Sequence, residues 1–160
     1  MSPSYWGDTN GSALYDSTAY TPGGVATVTD KTKHLISKYR NTYDSRPALP
    51  MYMGVGSYDA VYVYKQAAES AGTVRTGDID NISDALEKTD YMGASGRIQF
   101  TSGDTDYAHD VKYGKDKQPM IARQWQKAEN GNGLAGSGGK KVAVWPKEYA
   151  TGKHQAPPWV

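Results

Sequence analysis

The stretch Tyr52–Gly72, YMGVGSYDAVYVYKQAAESAG, constrains this chain more than any other. It reads as a helix of about six turns at 3.6 residues each, long enough to run along one side of a domain. Ala60, Val61, Tyr64, Ala67, Ala68 and Ala71 recur at three-to-four spacing and are the expected core face. Ser57 or Asp59 can cap the first turn, and Gly72 supplies a left-handed stop. On this reading Met53-Gly54-Val55-Gly56-Ser57 forms a glycine-rich turn that opens into the helix. Such an entry can present backbone N–H groups to an anion.

Flanking segments add helices on one side and strands on the other. Thr29 or Asp30 is positioned to cap a helix through about Tyr43, with Leu35, Ile36, Tyr39 and Tyr43 on one face. Before it, Ser12–Tyr20 is a strand candidate closed by the turn Thr21-Pro22-Gly23-Gly24. After Gly72, the region Thr76–Asp80 starts a short helix in which Ile79, Ile82 and Leu86 share a face, ending near Thr89. Arg97–Phe100 alternates as a half-buried strand. Further strands are expected at Asp110–Tyr113, Met120–Lys127 and Lys141–Trp145, the last stopped by Pro146. Residues 128–139 read as a flexible glycine-rich loop with too little apolar content to fold, and the end of the chain as an extended tail that docks Trp159.

Composition excludes several classes of function. The chain has 18 basic and 17 acidic residues without a long run of either, so no nucleic-acid footprint is indicated. It has no cysteine, which removes disulfides, thiolate catalysis and cysteine-ligated zinc. No span approaches the roughly 20 apolar residues needed to cross a bilayer. The first residues, MSPSYWGDTNGS, lack the basic patch and apolar stretch of a signal peptide. Thirteen tyrosines against one phenylalanine suit wet aromatic surface.

Chemistry motifs do not survive their context. Gly131-Asn132-Gly133-Leu134-Ala135-Gly136 spells a dinucleotide fingerprint, yet it leads into Ser137-Gly138-Gly139 and a strand where a pyrophosphate site needs a helix N-terminus. His34, His109 and His154 are far apart, with no second ligand at a coordinating spacing. No G-x-S-x-G elbow occurs, and the His109-Asp110 pair has no nucleophile partner. Asp104 and Asp106 read as turn residues. Catalytic residues, cofactor and metal are therefore not assigned.

The order of the pieces carries a resemblance. Ser57-Tyr58-Asp59-Ala60-Val61, Ala71-Gly72, Ala85-Leu86-Glu87-Lys88-Thr89-Asp90-Tyr91, Gly93 and Gly96-Arg97-Ile98-Gln99-Phe100 follow one another as in the C-terminal portion of the Leu/Ile/Val-binding-protein-like solute-binding proteins of ABC transporters. Arg46-Pro47 upstream fits the same order. So do Gln124-Trp125 and Val142-Ala143-Val144-Trp145-Pro146 downstream.

The resemblance implies an α/β fold, part of the two-lobed type I periplasmic-binding architecture. Residues 1–160 would be its C-terminal segment, with the N-terminal part absent. It implies binding without bond-making: a substrate-binding component for amino acids or similar small polar, amide-like solutes, acting with a membrane permease. A ligand-sensing or structural domain of the same fold without a transport role is the alternative. The full-length protein would be periplasmic or extracellular and membrane-associated, and the isolated chain would self-associate through surfaces the missing strands should cover. In the family the loop before the Tyr-Asp-Ala helix borders the ligand, which falls here on Met53, Gly54 and Val55. A second cleft segment, where the prototype carries an acidic residue for the ligand's ammonium, falls on Ser12 and Ala13. Neither is acidic, so ammonium recognition does not transfer to that position.

Overall fold

The computed structural model describes residues 19–22, 26–44, 51–129, 131 and 138–156. It divides into two compact units, one made of residues 1–21 with 121–160 and the other of the continuous run 22–120.

The continuous unit is built on three helices, α1 (Asp30–Tyr43), α2 (Met51–Ala71) and α3 (Ile79–Glu87). Thr29 caps α1, its side chain accepting from the Thr32 N–H while the Thr32 hydroxyl accepts from the Thr29 N–H, which satisfies two orphan donors at once. Asp44 closes the helix in the left-handed region at φ 46°. Gly72 stops α2 at φ 69°, where a glycine carries no Cβ penalty. A single turn of 3-10 helix at Thr76–Asp78 leads into α3, whose Ile82 is buried against its neighbours. The short strands β2 (Tyr91–Met92) and β3 (Arg97–Ile98) pair antiparallel, Tyr91 opposite Ile98.

Several expectations change here. The glycine-rich turn is not a loop: Met53, Gly54, Val55, Gly56 and Ser57 are all helical, and α2 begins at Met51. Two helical glycines each cost about 1 kcal/mol relative to alanine, a cost that the burial of Val55 between them offsets. The buried face of α2 also differs from the expected one. Val61 is 67% exposed and Tyr64 47%, and Ala60 is exposed too, whereas Val55, Asp59, Val63 and Ala67 form an unbroken i, i+4 stripe inside. Apolar residues wrap most of this helix, so hydrophobicity alone does not choose which side turns inward. Asp59 therefore caps nothing; it lies at the centre of the buried stripe. In α3, Ile79 is exposed rather than packed with Ile82.

The discontinuous unit carries a three-stranded sheet in the order β1-β4-β5, from β1 (Ala19–Pro22), β4 (Met120–Lys127) and β5 (Gly139–Trp145). Thr21 and Pro22 thus belong to a strand where a turn was expected, while residues 12–18 of the candidate strand lie outside the described residues. β4 and β5 pair antiparallel from Ala122–Trp145 to Lys127–Gly139, with a shift of register between Ala122 and Arg123. As the central strand, β4 is buried on both faces: Ile121 and Trp125 on one, Ala122, Gln124 and Gln126 on the other. Asp110–Tyr113 gives only isolated bridges, Phe100 to Val111 and Tyr113 to Gln118. The β4–β5 connection closes through Ala128 N–H to Gly138 O at 2.8 Å. Residues 132–137 of the expected loop and Trp159 of the tail fall outside the described residues.

The segment after β5 is held by side chains in place of a further strand. Gln124 donates to Gln155 O at 2.7 Å and accepts from Gln155 N–H at 2.9 Å. Gln126 donates to Lys153 O at 2.7 Å. Two buried glutamines on one face of β4 thereby satisfy the backbone of an extended segment and their own amides together.

Candidate functional site

The site expected from sequence lies at the start of α2. The first N–H groups of a helix have no partner within it; Met53 lies in the first turn of α2 and Gly54 follows it. Met53 is 60% exposed, and among the described residues nothing lies within 4 Å of where a Cβ on Gly54 would stand. Val55 plays a different part: at 2% exposure its side chain anchors the first turns into the core. Ser12 and Ala13 lie outside the described residues. A helix N-terminus with open backbone can accept a carboxylate or another anion, with the helix dipole adding to the hydrogen bonds.

What fixes this end of α2 is a cluster that sequence reasoning passed over. The Asp59 carboxylate, 1% exposed, accepts from Ala94 N–H at 2.7 Å through Oδ1, and from Ser95 N–H at 2.7 Å and Ser95 Oγ–H at 2.6 Å through Oδ2. Gln118 then donates to Ser95 Oγ at 2.9 Å. From α1, the Thr29 hydroxyl donates to Gly93 O at 2.8 Å and the Thr32 hydroxyl to Ala94 O at 2.5 Å. The loop Gly93-Ala94-Ser95-Gly96 is thus gripped from two helices. Gly93 has to be glycine, since a Cβ there would stand 2.5 Å from Asp59 Oδ2. The hydrogen bonds of this cluster join residues 23 to 64 positions apart along the chain, which is why periodicity does not show them. The available signal was an aspartate in phase with Val55, Val63 and Ala67.

One turn beyond Gly54, aromatic groups line up on the surface. Lys31 Nζ sits 4.0 Å from the centre of the Tyr91 ring, Tyr91 stacks on Tyr62 with planes 7° apart, and Tyr58 leans on Tyr62 at 4.9 Å between centroids. A hydrogen bond with the Tyr62 hydroxyl, reinforced by partial burial, pushes the Tyr58 phenol up to about 12, so it is a neutral hydroxyl across the physiological range.

Comparison with known proteins identifies the fold that carries these residues. A model for the receptor family ligand binding region matches residues 12–112. The chain belongs to this receptor ligand-binding family. Among solved structures, it is similar to a protein described as a branched-chain amino acid ABC transporter from Silicibacter pomeroyi, with TM-score 0.69 and 18% identity. That likeness covers 98% of this chain and 38% of the other, so the chain spans well under half the length of the structure it matches. The fold is accordingly a part of the type I periplasmic-binding architecture, as the order of motifs implied. No curated protein matches the sequence. Among the described residues no helix is long and apolar enough to cross a membrane.

Proposed function

We propose that this chain is part of the substrate-binding component of an ABC transporter for amino acids or similar small polar solutes, delivering its ligand to a membrane permease outside the cytoplasm. The observation that carries this reading is the match to a ligand-binding family over residues 12–112. The solved relative's description as a branched-chain amino acid ABC transporter suggests the solute class. Met53 and Gly54 border the solute's carboxylate at the positive end of the helix, with Val55 seating the turn that carries them. Ser12 and Ala13 border the same ligand without supplying a charge. Ligand binding then acts by its differential affinity for the closed state. No bond is made or broken, and neither metal nor cofactor takes part. A second reading, a sensing domain that binds a solute without transporting it, is favoured by the family's description as a receptor region.

Amide chemical shifts read the binding step directly. Titrated with L-leucine, the chain should show fast-exchange shifts at the Met53 and Gly54 amides, with a dissociation constant of roughly millimolar, about 4 kcal/mol of binding. Leucinol, which lacks the carboxylate, should leave both amides unmoved. Equal shifts with the two compounds, or shifts confined to other residues, would remove the carboxylate role from this helix end.

A further inference from the structure

The last turns of α3 and the segment from Phe100 to His109 border a hollow of about 300 Å³, at the small end of the roughly 300–1,000 Å³ range of ligand sites. Leu86 and Phe100 give it apolar walls, while Ser83, Glu87 and His109 supply polar groups, and all five residues belong to the continuous unit. Glu87 is the last residue of α3, so its carboxylate and the negative end of the helix dipole favour a cation at the same place. Among the described residues no lysine or arginine lines the hollow, and Lys88, next in the chain, lines a different one with Asp90. His109 is the partner the Glu87 carboxylate has among these residues: Nδ1 lies 3.3 Å from Oε1, and the two side chains keep 60% and 44% exposure. That ring rests against Gly103, where an added Cβ would stand 3.1 Å from Cε1 and Nε2. Oε2 has no hydrogen-bond partner among the described residues.

We propose that this hollow binds a small organic amine with an apolar body and no carboxylate, its ammonium donating to Glu87 and its body resting on Leu86 and Phe100. The ammonium supplies the charge-assisted donor that a half-exposed carboxylate at a helix C-terminus favours. The apolar walls take the body out of water. A free α-amino acid fits worse, because its own carboxylate is one carbon from the ammonium and would be brought up against Glu87, like charge against like. In chemistry the hollow is therefore the opposite of the helix end at Met53 and Gly54, where the proposed function calls for a carboxylate.

Phenethylamine titrated into the full chain and followed by amide chemical shifts tests this. Saturable shifts are expected at Leu86, Glu87, Phe100 and His109. 2-Phenylethanol, which has the same body without the charge, should bind at least about fivefold more weakly, and so should L-phenylalanine. Glu87→Gln, at a half-exposed side chain, should bring the amine down to the affinity of the alcohol and leave the alcohol unchanged. No saturable shift at these four residues, an alcohol or a phenylalanine bound as tightly as the amine, or a Glu87→Gln protein with the amine's full affinity would each overturn the proposal. The leucine response at Met53 and Gly54 is read at other amides, so either reading can fail without the other.

Discussion

Replacing Asp59 with asparagine puts the central cluster to a quantitative test, because the change keeps the shape and removes one acceptor. The carboxylate meets three donors, one on Oδ1 and two on Oδ2. Asparagine offers a single oxygen. Its best orientation keeps that oxygen facing Ser95 and turns the NH2 toward the Ala94 N–H, donor against donor at a site where the native contact is 2.7 Å. Leaving that buried N–H unpaired costs about 1–3 kcal/mol, and each of the two surviving bonds loses about 1 kcal/mol as it changes from charge-assisted to neutral. Relief of the carboxylate's own desolvation offsets part of this. The net loss is about 3 kcal/mol, which for a chain of this length lowers Tm by roughly 6–12 °C. Thermal unfolding followed by far-UV circular dichroism reads the first quantity. Hydrogen exchange at the Ala94 and Ser95 amides reads the second, with protection lost there first. Ser95→Ala, which removes one of the three donors and leaves the carboxylate, should cost distinctly less. An Asp59→Asn protein melting within about 1 °C of wild type, with both amides still protected, would show that the loop is held by packing and that the cluster argument fails.

The remaining predictions concern the same loop, the hairpin beside it and the final segment. Gly93→Ala pushes a methyl group into Asp59 at 2.5 Å and should cost about 2–3 kcal/mol by equilibrium unfolding, with the same loss of amide protection as Asp59→Asn. Arg97 grips Asp90 with two hydrogen bonds, of 2.6 and 2.5 Å, and holds its carboxyl down at about 2. The folded value lies below the unfolded one, so the stabilising pair is fully present above about pH 4 and is lost as the pH falls toward 2. A carboxyl carbon titration should show that depressed midpoint, and Asp90→Asn should flatten this part of the stability profile. Gln124→Leu removes both hydrogen bonds to Gln155. At about 1 kcal/mol each, their loss should speed tryptic cleavage after Lys153 by about 30-fold, while cleavage elsewhere is unchanged.

Local capping and long periodic runs made the helices legible, and the same local signals failed where a distant partner decides. Thr29 reads as an N-cap from its position alone, and α1 starts after it as expected. That Thr29 and Thr32 also hold Gly93 and Ala94 has no local trace, because those partners are 64 and 62 residues away. The extent of α2 to Ala71 and the glycine stop were readable, but Gly54 and Gly56 looked like a loop because glycine weakens a helix taken by itself. In the sheet, β4 and β5 stood out, yet the burial of Gln124 and Gln126 did not. Alternation places a glutamine toward water unless an extended segment from elsewhere supplies its hydrogen bonds.

Asp59 shows how the two kinds of information combine at the candidate site. In the order of motifs it is part of a Tyr-Asp-Ala signature; by periodicity it falls on the same stripe as Val55, Val63 and Ala67. An aspartate on an apolar stripe has two outcomes: the helix rotates to bring it to water, or the rest of the molecule supplies enough donors to keep it inside. Rotation would have buried Ala60, Val61 and Tyr64, the face the hydrophobic pattern favours. The second outcome holds because the Gly93–Gly96 loop brings three donors to one carboxylate. Two consequences follow from that single choice. The N-terminal turn carrying Met53 and Gly54 is braced by the next two turns, and on the proposed reading that rigid support lowers the entropic cost of ordering a ligand there. Val61 and Tyr64 are left facing outward. Asp59→Asn, by loosening that support, should weaken the leucine shifts at Met53 and Gly54. An Asp59→Asn protein that still folds and keeps the full leucine shifts would show that the support does not reach the helix end.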